Sequence, residues 1–347
     1  MDRLLPAVSQ RPFRKVSNAR MRRRKLKVKK TLANTGVFVI MVTICSLLFA
    51  YPYIIRTLIK EKMPNVVASV DSNLSTPAQY NPLFATKPSW FQNFANKTSG
   101  FPDPKYWNVL VGPAENSNNE QQYYTDSFAN LRIENGTLRL IASHDSQPSG
   151  YQYGSARLET QGKQSFLYGR IDITAKLPSG VGTWPAIWLL PANDKYAKRS
   201  PINNTARYKN GGEIDIVEAV GFKPDIIYGV VHTASDANRH PDGTGSFGTI
   251  KVPDDSASFN LYSLLWTPTS VTFAVNNTPY YTYTRTKKAD YTTWPFDQPF
   301  YLIVNLAMGG TWGGMDTAHY PGNGIDNSAL PASLDIGSIY YYPYVGS

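Results

Sequence analysis

Residues 168–177 read Tyr-Gly-Arg-Ile-Asp-Ile-Thr-Ala-Lys-Leu, so that apolar Ile171, Ile173, Ala175 and Leu177 alternate with polar Arg170, Asp172, Thr174 and Lys176. A period of two puts one set on each face of an extended strand, whereas a helix needs apolar residues every three or four positions. The same alternation recurs on both sides. Leu138 to Ala142 follows the turn pair Asn135-Gly136. Val271 to Val275 leads into Asn276-Asn277-Thr278-Pro279 and then Tyr280 to Tyr283, the pattern of a hairpin. Beyond Ser89 no helical periodicity and no internal repeat stands out. Many strands punctuated by Gly, Pro and Asn, with no helices between them, predict one all-β domain of two sheets over residues 89–347.

Composition supports a folded domain there and little before it. The chain of 347 residues is 42% hydrophobic, and all seven Trp lie beyond Ser89. The formal charge of +10 is concentrated at the start. Residues 1–30 hold twelve Lys and Arg against Asp2 alone, a net +11 that leaves the rest of the chain at −1. The domain therefore has no basic surface to attract nucleic acid, and no nucleic-acid partner is expected. The single cysteine, Cys45, permits no disulfide within the chain.

Residues 36–55 (GVFVIMVTICSLLFAYPYII) contain no charge. Their length matches the roughly 20 residues that cross a bilayer as a helix, and exceeds the roughly 7–15 of a signal-peptide core. The expected organisation is a basic cytoplasmic tail over 1–34, one transmembrane signal-anchor helix over 35–59, a Pro/Asn/Ser/Thr-rich spacer over 60–88, and the domain over 89–347. Basic residues before the span keep the N-terminus inside, so the domain is expected on the extracytoplasmic side of a single-pass membrane protein. Cleavage after Val66-Val67-Ala68 is the competing reading.

The chemistry concentrates in Gly211-Gly212-Glu213-Ile214-Asp215-Ile216-Val217-Glu218-Ala219-Val220. Glu213 and Asp215, two apart on a strand, share a face. Glu218 would point the other way unless one extra residue, a β-bulge at Ile216–Val217, returned it to that face. Residue types alone leave three readings: a catalytic group, a cation site, and an acidic face turned to solvent. Three acids with no interleaved Lys or Arg repel one another, which favours a function. Glycoside hydrolysis with retention needs two carboxyl groups about 5–5.5 Å apart, one as nucleophile and one as acid/base.

The Glu-x-Asp-x-x-Glu run of residues 213–218 resembles the active-site strand of laminarinase-like members of glycoside hydrolase family 16. Three further segments resemble the same family in order: residues 118–125 (NNEQQYYT), 168–191 (YGRIDITAKLPSGVGTWPAIWLLP) and 295–310 (PFDQPFYLIVNLAMGG). The resemblance implies a concanavalin A-like, two-sheet β-jelly roll with an open sugar-binding cleft. It implies Glu213 as nucleophile, Asp215 as assisting acid and Glu218 as general acid/base. The two residues between Asp215 and Glu218 are similar to β-1,3-glucanases rather than to unbulged lichenases.

Asn118, Arg157, His232 and Trp312 match positions that line sugar subsites in similar enzymes, and Trp184 and Trp188, four apart in a Pro-flanked segment, are expected in the cleft because sugars stack their C–H faces on aromatic rings. Four have a structural alternative: core packing for Trp184 and Trp188, an ion pair for Arg157, a hydrogen-bonded core residue for His232. Trp266 reads as core. His144, His240 and His319 share no metal-ligand spacing, so no zinc site is expected. Many relatives hold a structural calcium with an Asp in the last strand. Gly337 stands there in this sequence, with Asp335 two residues away, which puts a calcium in doubt. No cofactor is required by the chemistry. The implied activity is endo-hydrolysis of β-1,3 or mixed β-1,3/1,4 glucan, with the β-glucan and a lipid bilayer as partners. Transglycosylation uses the same acids. A non-catalytic glucan-binding protein would need none of them.

Overall fold

The computed structural model describes residues 81–114, 118–193, 195–196, 211–235 and 246–346. Among these, the strands form a 12-stranded and a 7-stranded sheet. Residues of both sheets share one apolar core, which includes Ile171, Ile173, Leu264 and Phe273 of the larger sheet and Ile187, Ile214, Val217 and Val304 of the smaller. The all-β, two-sheet expectation holds. The smaller sheet runs, edge to edge, Ser246–Lys251, Ile226–His232, Glu213–Glu218, Thr183–Pro191, Phe300–Met308, Arg157–Glu159 and Asn108–Val109. Each pair in it is antiparallel.

The strand Gly169–Lys176 buries the apolar set anticipated from its alternation. Its polar face is less exposed than a period of two implies, because Arg170 and Asp172 pair at 2.7 Å and Ser263 Oγ donates to Asp172 at 2.7 Å. Burial of these charges is tolerable only as a hydrogen-bonded pair. The expected hairpin is present, and the Asn135-Gly136 turn closes a second one. Asn135 and Gly136 turn with φ of 49° and 80°, and Asn276 and Asn277 with 49° and 64°, the left-handed pair that a two-residue hairpin requires. Thr278 and Pro279 belong to the second strand of the latter hairpin, which begins at Thr278.

Gly212, just before the acidic strand, has φ of +81°, and a Cβ there would lie 2.4 Å from Pro295 Cγ. Only glycine lets the chain enter that strand against the 295–300 segment.

The expected tail (1–34), transmembrane helix (35–59) and most of the spacer lie outside the described residues. Among the described residues no helix is long and apolar enough to cross a membrane. The spacer's last residues differ from expectation. Phe84 is buried and pairs with Tyr344, and Ala85 N donates to the carbonyl of Pro343 at 2.9 Å. Phe84 and Tyr344 meet edge to face at 6.1 Å, so burial of one aromatic side chain draws residues before 89 onto the domain.

Candidate active site

The position of the three acids follows from register. Opposite Asp215 and Glu218, which are three apart, the neighbouring strands offer pairs only two apart: Trp188 and Ala186 on one side, Val230 and Tyr228 on the other. One extra residue is therefore inserted between Asp215 and Glu218, a bulge where the sequence required one. Ile214 and Val217 face the core. Glu213, Asp215 and Glu218 line one cavity, of about 560 Å³ including its open mouth.

Each acid has a distinct setting. Glu213 is partly exposed, with its side chain 24% accessible, whereas Asp215 is at 3%. His232, paired with Glu213 across the strands, brings Nε2 to 3.1 Å from Asp215 Oδ2 and 3.7 Å from Glu213 Oε1. Glu218 is buried and accepts a hydrogen bond from Trp184 Nε1 at 3.0 Å. Behind it lies Tyr228, whose hydroxyl is held well above the usual phenol range by burial and, next, by the charge of Glu218.

Of the six expected subsite residues, Asn118, Arg157, Trp184 and Trp188 line the cavity. Trp188 is oriented at two points: its Nε1 donates to Asn305 Oδ1 at 2.7 Å, and the Arg157 guanidinium sits 5.2 Å from its ring. Arg157 also lies 3.7 Å from Glu159, so it is at once an ion-pair member and a cavity wall. Trp312 differs from expectation. It is fully buried, edge-to-face with Trp184 at 5.3 Å and Tyr228 at 5.0 Å, and so supports the cavity wall from behind. His232 touches the acids and is not among the residues lining the cavity. Trp266 is core, as expected.

The cavity also contains residues that the sequence reading did not single out: Glu120, Tyr124 and Asn305. Tyr124 is held above the usual phenol range by burial first and by the charge of Glu120 second. A period of two from Asn118 through Glu120, Gln122 and Tyr124 could have pointed to them. Asn305 is the one polar residue in the buried run Phe300–Met308, a signal of the same kind.

Glu213, Asp215 and His232 bring donor atoms within 4.8 Å of one another, so the geometry alone also admits a cation. The last strand does not fit a calcium ion. Gly337 has no side chain to offer, and its carbonyl accepts from Phe94 N at 3.2 Å. Asp335 is taken up by Arg139 at 3.0 Å and Lys176 at 3.3 Å.

Residues 115–324 match the family model described as Glycosyl hydrolases family 16. The chain belongs to this family. As a family 16 glycoside hydrolase it is 42% identical over 252 residues to a beta-glucanase of Rhodothermus marinus, spanning 71% of this chain and 82% of that protein. The family 16 fold is shared with the laminarinase structure from the same organism at a TM-score of 0.67 and 40% identity, covering 76% of this chain and 99% of that one. It is shared too with SCLam, a non-specific endo-beta-1,3(4)-glucanase, at a TM-score of 0.66 and 32% identity, covering 78% and 94%.

Proposed function

We propose that the chain cleaves internal β-1,3 linkages of glucan, and mixed β-1,3/1,4 linkages, with retention of configuration. The observation that carries this reading is the bulge that sets Glu213, Asp215 and Glu218 on one face of one cavity. The names of the similar proteins, a beta-glucanase, a laminarinase and an endo-beta-1,3(4)-glucanase, supply the substrate class.

In the first step the Glu213 carboxylate attacks the anomeric carbon while Glu218, protonated, gives its proton to the departing glycosidic oxygen. A glycosyl ester on Glu213 results. In the second step Glu218, now a carboxylate, takes a proton from water, whose oxygen displaces Glu213 and restores both groups. Asp215, between the two on the same face and tied to His232, orients Glu213 and tempers its charge. Trp184 fixes the Glu218 carboxyl through Oε1. Trp188 offers an aromatic surface to the apolar C–H face of a sugar. No cofactor enters either step. The basic start and the apolar run at 36–55 support a tether that holds this domain outside the cytoplasmic membrane face, next to extracellular polysaccharide.

The test incubates the purified full-length chain, wild type and Glu213→Gln, with laminarin, lichenan and agarose, resolves products by size, and reads the first-formed anomer by NMR. Short β-configured β-1,3 oligosaccharides from wild type alone are expected. First-formed α-anomers would refute retention, and the absence of product from all three would refute the glucanase reading.

A further inference from the structure

We infer that Glu120 is a positioning residue that fixes which edge of the Asn118 amide faces the substrate, through a hydrogen-bond chain polarised by a backbone N–H. The inference rests on reading this cavity as a glucan cleft. The chain starts at Met308, whose N–H donates to Gln122 Oε1 at 2.7 Å. A backbone N–H can only donate, so the fully buried Gln122 amide cannot turn over without stranding it. Gln122 therefore points Nε2 onward, and Nε2 donates to Glu120 Oε2 at 2.6 Å. A carboxylate can only accept, so the other oxygen, Oε1, takes the Asn118 Nδ2 proton at 3.3 Å. Asn118 and Glu120 both line the cavity beside the acids. With Nδ2 committed to Glu120, Asn118 presents Oδ1 as an acceptor to a sugar hydroxyl. The backbone of Asn118 is itself held, since its carbonyl accepts from Thr311 N at 2.7 Å.

Glu120→Gln keeps the shape and breaks the polarity. An amide offers one accepting and one donating end, yet both Gln122 Nε2 and Asn118 Nδ2 donate to residue 120. Gln122 cannot yield, so the Gln side chain turns its NH2 toward Asn118, and Asn118 flips to present Nδ2 to the cleft. Glu120→Gln combined with Gln122→Glu restores the order: a carboxylate at 122 accepts from Met308 N and from the new amide, whose oxygen accepts from Asn118 again. Net charge is unchanged in this swap.

The experiment measures kcat and KM on laminarin, with thermal melting, for full-length wild type, Glu120→Gln, Asn118→Ala, Glu120→Gln with Asn118→Ala, and the Glu120→Gln/Gln122→Glu swap. Glu120→Gln is expected to raise KM about five- to tenfold, the scale of one substrate hydrogen bond, with kcat near wild type. In the Asn118→Ala background it should add nothing, and the swap should bring KM back to near wild type. An unchanged KM, an undiminished effect without Asn118, or a swap that fails to restore KM overturns the inference. If Glu120→Gln does not fold, the swap decides: folded with wild-type KM supports the chain, and any other result overturns it. Wild-type turnover checks the glucan reading separately, and its absence overturns both.

Discussion

Asp255 carries a cost that the fold pays at neutral pH and that one substitution should remove. It lies between the strands Ser246–Lys251 and Asn260–Trp266, is 6% exposed, and its carbonyl accepts from Leu177 N at 3.0 Å. Burial, and then the charge of Asp225, push its carboxyl from 3.8 up to about 6. At 1.36 kcal/mol per unit that rise corresponds to about 3 kcal/mol, and solvent screening at the loop surface lowers it to about 1–3 kcal/mol. The sign follows from the direction. A carboxyl whose folded pKa is raised favours the native state while protonated, so its contribution is complete below 3.8 and is lost as pH rises through about 6. Asp255→Asn keeps an acceptor and removes the charge. By calorimetry the variant should melt about 3–10 °C above wild type at pH 8, and the gap should close by pH 3.5. An offset that is the same at both pH values, or a variant less stable at pH 8, would refute the reasoning.

Other outcomes follow from the site. Deleting Val217 removes the bulge and leaves Asp215 and the final Glu two apart on a plainly alternating strand, so both still face the cleft; some turnover of laminarin should remain while the melting temperature falls, and complete loss of turnover in a folded variant would show that alternation alone does not place that Glu. Trp184→Phe loses the indole N–H that holds Glu218 at 3.0 Å, and kcat should drop about tenfold or more with little change in KM; a pure KM effect would assign Trp184 to sugar binding alone. Prolonged EDTA treatment should leave both turnover and melting temperature unchanged, because Asp335 is held by two cations and Gly337 offers no side chain; a loss restored by calcium would contradict this.

The site was legible in the sequence where chemistry and period coincide. Glu213, Asp215 and Glu218 stand out because three acids in an apolar strand demand an explanation, and their spacing called for the bulge that the register contains. Residues whose role depends on a distant partner were harder to place. Trp312 was expected against sugar and lies behind Trp184, because nothing local says which side of a wall a tryptophan occupies. Glu120 and Asn305 went unremarked: a single carboxylate or amide becomes informative only when its neighbours across the sheet are known. Phe84 likewise draws residues before 89 into the domain through an aromatic partner 260 positions later in the chain.

By itself the sequence determined the all-β class, the two Asn-led turns, the acidic strand and its family, since alternation, left-handed turn residues and like charges act over a few residues. Only the tertiary structure decided which polar groups meet. It buries Arg170 on Asp172, ties His232 to Asp215 and runs the chain from Met308 through Gln122 to Glu120 and Asn118. The physical reason is that hydrogen bonds are short and directional, so their partners are fixed by how strands distant in sequence come into register.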